Sequence, residues 1–112
     1  MIRILFTVLI LLLPVPVAAF EISATCTSES GSSEYYLNLS SSGGTIRYKF
    51  MGQDVIYKVK QTVHEGSKVF GLAEFDSSIT GETRGTPFMF EYNLITNSFS
   101  ELNITANCKV YR

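Results

Sequence analysis

Few residues of this chain are of a type and spacing that could do chemistry. Cys26 and Cys108 are the two cysteines of the 112-residue sequence, and His64, beside Glu65, is its one histidine. Two thiols and a distant imidazole do not make metal-ligand spacing, no serine sits in a nucleophile elbow, and no Gly-rich strand-to-helix turn is present to cradle a phosphate. His64 and Glu65 are adjacent, so on an extended chain they point apart, and Gly66 and Ser67 mark a surface turn beside them. The residues therefore predict no enzyme, no cofactor and no metal site. What remains is binding chemistry. Arg47 with Lys49, and Lys58 with Lys60, alternate along two stretches, while Glu82 and Arg84 lie in a Gly-rich run that would make a contact loop.

The start of the chain sets the compartment in which these groups work. Arg3, the apolar run 4–13, Pro14 and Pro16, then Val17-Ala18-Ala19 follow the order of a secretory signal peptide, predicted to span 1–19 with cleavage after Ala19. The apolar run is short of the roughly 20 residues a spanning helix needs, and the prolines would break its last turns. No transmembrane segment is expected after cleavage. Residues 20–112 would then form one small secreted or periplasmic domain, with a core of modest size. In an oxidising compartment Cys26 and Cys108 predict a single disulfide. It would close a loop of about 80 residues, for which the chain-entropy relation gives roughly 4 kcal/mol.

Charge points to no global electrostatic partner. The formal net charge is −1, one unit more negative once Arg3 leaves with the leader. Nucleic acid would ask for a strongly basic domain. Six Tyr and eight Phe are too many for a disordered chain.

Apolar residues alternate with period two from residue 21 to the end, and no stretch sustains a helical period. Strands are predicted over 21–27, 34–40, 45–51, 55–61, 68–76 and 88–94, with a last strand through 102–110. Turns fall at 28–33, at 52–54 and at 96–98, where Asn97 can take a left-handed conformation. Ser40 to Gly44 reads as a flexible loop, 63–68 as a connection holding His64, and 77–85 as the longest irregular link. Both cysteines fall on inward faces, which brings the first and last strands together. The class is all-β: a small antiparallel meander of about seven strands forming a barrel, with a two-sheet sandwich as the alternative.

Three surfaces follow from this layout. Pairing Phe50 with Val55, Tyr48 with Tyr57 and Ile46 with Val59 sets Arg47 opposite Lys58, with Lys49 and Lys60 on the same outward face. Such a face would suit an anionic envelope or cell-surface component, or an acidic protein. Pairing Tyr92 with Leu102 would gather Ile95 and Phe99 at an apolar tip, with Met89 two pairs back. Tyr35, Tyr48, Tyr57 and Tyr92 point inward, as core residues or as the lining of a small cavity for an apolar ligand. Asn38 and Asn103 carry the glycan-acceptor pattern on outward faces, which matters only in a eukaryotic secretory pathway.

A signal, a short antiparallel barrel, a cysteine in the first strand (Cys26) and an Asn-Cys near the end (Asn107-Cys108) make a plan similar to that of the small periplasmic inhibitors of C-type lysozyme. The resemblance implies an exported barrel that acts by binding. It carries over no site residue, because the central motifs of that family are not found in 49–84. The expectation is a small exported binding module with an inhibitory or envelope-associated role, with self-assembly or apolar-ligand carriage as the other readings.

Overall fold

The computed structural model describes residues 20–81, 85–101 and 104–111. The expected leader, Glu82, Arg84, Leu102 and Asn103 lie outside the described residues. Eight strands follow one another: β1 (Glu21–Ser28), β2 (Ser33–Ser40), β3 (Gly43–Phe50), β4 (Gln53–Glu65), β5 (Lys68–Ser78), β6 (Phe88–Asn93), β7 (Ser98–Glu101) and β8 (Ile104–Val110). Each pairs antiparallel with its neighbour in sequence, and β8 returns to β1, so the sheet closes into a barrel rather than splitting into a sandwich. Closure gives each strand a hydrogen-bonded neighbour on both sides, and among the described residues only stretches such as 60–65 of β4, beyond its pairing with β3, run past a neighbour. The count exceeds the expected seven because the final alternating stretch is two strands. β7 pairs with β6 and then with β8, Glu101 standing opposite Ile104. No Gly or Pro stands between Phe99 and Ile104 to mark the reversal.

The β1–β8 seam is the one pairing between strands far apart in sequence, and it carries the disulfide. Cys26 and Cys108 are direct cross-strand partners with Cα atoms 3.9 Å apart. The two inward faces predicted for them coincide. Such a bond belongs to an oxidising environment rather than to a reducing cytosol.

Turn chemistry corrects two details. Met51 and Gly52 both have positive φ, 46° and 82°, which makes a tight two-residue hairpin turn of the kind that suits the twist of the flanking strands. Phe50 therefore pairs with Gln53, Tyr48 with Val55 and Ile46 with Tyr57, two residues from the expected register. A shift of two keeps every side chain on its own face, so alternation alone does not distinguish the registers. Gly43 and Gly44 are strand residues, not loop: a Cβ would lie 2.3 Å from the Val59 carbonyl oxygen and 2.0 Å from that of Asn38, respectively.

Aromatic rings fill the interior. Tyr35 stacks on Tyr48 at 4.8 Å and meets Phe99 at 4.6 Å, and Phe99 stacks on Phe90 at 5.6 Å. Aliphatic side chains such as Leu39, Ile46, Val59 and Val69 surround this column, each fully buried. Burial of one such side chain contributes about 1.5–3 kcal/mol. Gly71 makes room for the column, since a Cβ there would sit 2.6 Å from the Phe90 ring.

β4 and β5 form the longest hairpin, with Gly66 and Ser67 as its turn, so His64 lies in a strand rather than in the expected connection. Val59 pairs with Ala73 but Thr62 with Gly71, so Lys60 and Gln61 together oppose Leu72. This bulge reverses which side chains face inward. Beyond it Thr62 and His64 turn in and Val63 turns out, and the His64 ring meets Phe20 edge-on at 5.3 Å.

Candidate functional site

The outward face of β2–β4 holds most of the basic residues singled out above. Tyr36 stands opposite Arg47, and Glu34 opposite Lys49. Arg47 reaches along the hairpin to Asp54, donating from Nε at 2.8 Å and from Nη2 at 2.5 Å. The Arg47 hydrogen bonds hold the Asp54 carboxyl below its usual range. The Arg47 and Lys49 cations lie 6.0 and 5.8 Å from the centre of the Tyr36 ring, whose hydroxyl donates to Glu34 at 2.7 Å. That hydrogen bond raises the Tyr36 phenol.

The expected opposition of Arg47 and Lys58 is corrected by the register. Arg47 faces Ile56, and Lys58 lies between Thr45 and Glu74. Lys60 also approaches Glu74, at 3.8 Å. Each of the four basic residues thus has an acidic neighbour within the chain.

The apolar tip is not contiguous. Tyr92 pairs with Phe99, not Leu102, and this turns Phe99 into the core, where it is fully buried. Ile95 stays exposed at the turn, held by hydrogen bonds from the Ile95 and Thr96 amides to the Asn93 side chain. Asn97 has a φ of 50°, the left-handed conformation anticipated for it.

Met89 belongs to a different surface, one that inspection of the sequence did not assemble. On the outward face of β4–β6, Val63 pairs with Phe70 and Leu72 with Met89. Val63, Leu72 and Met89 are 52%, 45% and 70% exposed, and Phe70 is half-buried. A groove of about 390 Å³ runs among them. Ion pairs frame it, Lys60–Glu74 at 3.8 Å on one side and Lys68–Glu91 at 3.2 Å on the other. Phe70 and Leu72 alternate with Val69, Gly71 and Ala73, so β5 has a second apolar face in its sequence. Val63 was hidden because the bulge at Lys60 and Gln61 changes its side.

One end of the barrel carries a second feature. Glu101 pairs with the inward Phe90, so its side chain enters the barrel. It accepts a hydrogen bond from the buried Tyr35 hydroxyl at 2.8 Å. Burial raises the Glu101 carboxyl, and the Tyr35 hydrogen bond partly opposes this. Burial, with Glu101 adding to it, raises the Tyr35 phenol strongly. A cleft of about 290 Å³ opens there beside Tyr48, Tyr57 and Phe88.

Among the described residues no three His, Cys, Asp or Glu side chains are grouped to hold a metal. Among them, too, no helix is long and apolar enough to cross a membrane. The chain is thus defined by its geometry as a disulfide-closed, eight-stranded antiparallel barrel, with an apolar outer face on β4–β6 among the described residues. No family model, no curated protein and no solved structure matches it.

Proposed function

We propose that this chain is a small exported, non-enzymatic binding module that captures a protein partner on the outward face of β4–β6. The observation that carries this reading is the strip Val63, Phe70, Leu72 and Met89, apolar and open to solvent on a strand surface that ordinarily alternates to polar residues. The flanking Lys60–Glu74 and Lys68–Glu91 pairs supply the polar rim that interfaces carry around an apolar centre. Export is supported by the leader-like residues 1–19 and by the disulfide. An inhibitory or envelope-associated role fits a module of this kind.

The other readings draw less support. Self-assembly through a strand edge would need a long open edge, and among the described residues each strand has a neighbour on both sides, which leaves open only short stretches such as 60–65 of β4. Carriage of an apolar ligand would need interior room, which the Tyr35–Phe99–Phe90 column fills. An anionic partner on Arg47, Lys49, Lys58 and Lys60 would have to compete with the acidic neighbours of those residues.

The test is capture from the native extracellular or periplasmic fraction by the oxidised protein and by a Leu72→Gln/Met89→Gln variant, in low and high salt. A partner held in high salt and lost to the variant supports the face. A partner retained by the variant and released by salt would move the function to the basic residues. Concentration-dependent mass in sedimentation, abolished by the same variant, would make the partner a second copy of this chain.

A further inference from the structure

Glu101 is placed where a strand residue with only a structural task would be apolar. It points into the barrel opposite Phe90, and the buried Tyr35 hydroxyl donates to its Oε2 at 2.8 Å. Asp54, Glu74 and Glu91 pair with Arg47, Lys60 and Lys68 respectively, whereas no ion pair among the described residues includes Glu101. A carboxylate set among rings is costly to ionise unless a cation compensates it.

The cleft above it offers room for one. Its volume is about 290 Å³, Tyr48, Tyr57 and Phe88 stand beside the carboxylate, and no described lining residue is basic. Aromatic rings attract organic cations through their quadrupoles, and a carboxylate adds a full counter-charge. The volume lies at the small end of ligand sites, enough for a charged head and a few methylenes.

We propose that this mouth of the barrel binds an organic cation, an alkylammonium or guanidinium group, with Glu101 as counter-charge and Tyr48, Tyr57 and Phe88 as walls. The site is independent of the β4–β6 face. The cation can arrive as a free amine or as the side chain of a basic protein, and the chemistry of recognition is shared.

The experiment is a titration of the whole oxidised protein at pH 7, followed by amide chemical shifts. The probes are n-butylammonium, n-butylguanidinium, a lysine peptide blocked at both ends, and neutral n-pentanol. Saturable shifts around Tyr57, Phe88 and Glu101 are expected for the cations and not for the alcohol. Glu101→Gln keeps an acceptor for the Tyr35 hydroxyl and should weaken cation binding roughly tenfold or more. Thr86→Lys, at the exposed rim of the cleft, places a competing ammonium there and should block the site if Glu101→Gln does not fold. Binding of the free amine without the peptide assigns a small-molecule ligand, and binding of the peptide assigns a side chain. Absence of saturable shifts with any cation, equal binding of the alcohol, or unchanged affinity in a folded Glu101→Gln protein would overturn the proposal.

Discussion

The two outward faces that meet along β4 differ in what they leave unfinished. On β2–β4 the charged side chains and Tyr36 satisfy one another: Arg47 with Asp54, Lys49 with the Tyr36 ring, and Tyr36 with Glu34. On β4–β6 the ionic groups are also paired, but between them lie Val63, Phe70, Leu72 and Met89, which gain nothing from water. Charge on a surface is therefore a poor guide to where this molecule would meet a partner. An anionic partner of Arg47 would have to displace the Asp54 carboxylate that the guanidinium already holds. An apolar side chain on the outer wall of a closed barrel has no such internal remedy.

Substitutions can break or sharpen that contrast. The largest effect is expected inside the wall. Phe99→Ala should cost about 3–5 kcal/mol in denaturant unfolding, because it empties a fully buried site in the aromatic column. Ile95→Ala, at the exposed turn, should stay within about 0.5 kcal/mol. Similar costs for the two would return Phe99 to the surface and rebuild the apolar tip. On the outer wall, Leu72→Gln/Met89→Gln should reduce partner capture roughly tenfold or more while leaving unfolding nearly unchanged. A large loss of stability instead would mean that the strip is core rather than interface.

The charged face should respond more weakly and in a pH-dependent way. Asp54 is held ionised by Arg47, so its contribution is present above the unfolded carboxylate pKa of about 4 and is lost as pH falls through the lower folded value. Asp54→Asn should lower the thermal midpoint by about 2–4 °C at pH 7. The gap to the unsubstituted protein should narrow as the solution is acidified. A gap that is constant down to strong acid would assign the loss to the hydrogen bonds alone. The smallest effect is expected from Lys58→Gln/Lys60→Gln, with capture changing less than about twofold in moderate salt. A loss as large as that of the Leu72 and Met89 variant would exchange the roles of the two faces.

Much of the architecture was legible as alternation. The period-two pattern named the strands, and the inward faces of Cys26 and Cys108 anticipated the seam between β1 and β8. The errors cluster where alternation carries no information. A register shift of two at Met51-Gly52 leaves every face unchanged, yet it moves Arg47 away from Lys58 and beside Asp54. A bulged pair at Lys60 and Gln61 reverses the faces of Val63 and His64 without any Gly or Pro to announce it. The reversal between β7 and β8 is equally silent, and it converts Phe99 from a tip residue to core and turns the Glu101 side chain inward. Each candidate site thus depends on a place where the pattern continues while the geometry changes.

The seam also decides how the molecule would be presented if held by either terminus. Glu21 and Val110 line the same end of the barrel, and the Tyr111 amide donates to the Ser23 carbonyl at 2.7 Å, so the described chain enters and leaves side by side. β1 then runs eight residues away from that end, about 26 Å at the usual strand rise. A tether at Phe20 or after Tyr111, whether a membrane, a resin or a fused domain, would carry the barrel upright on its support. The Glu101 rim would be its far lip, and the β4–β6 wall would remain accessible from the side.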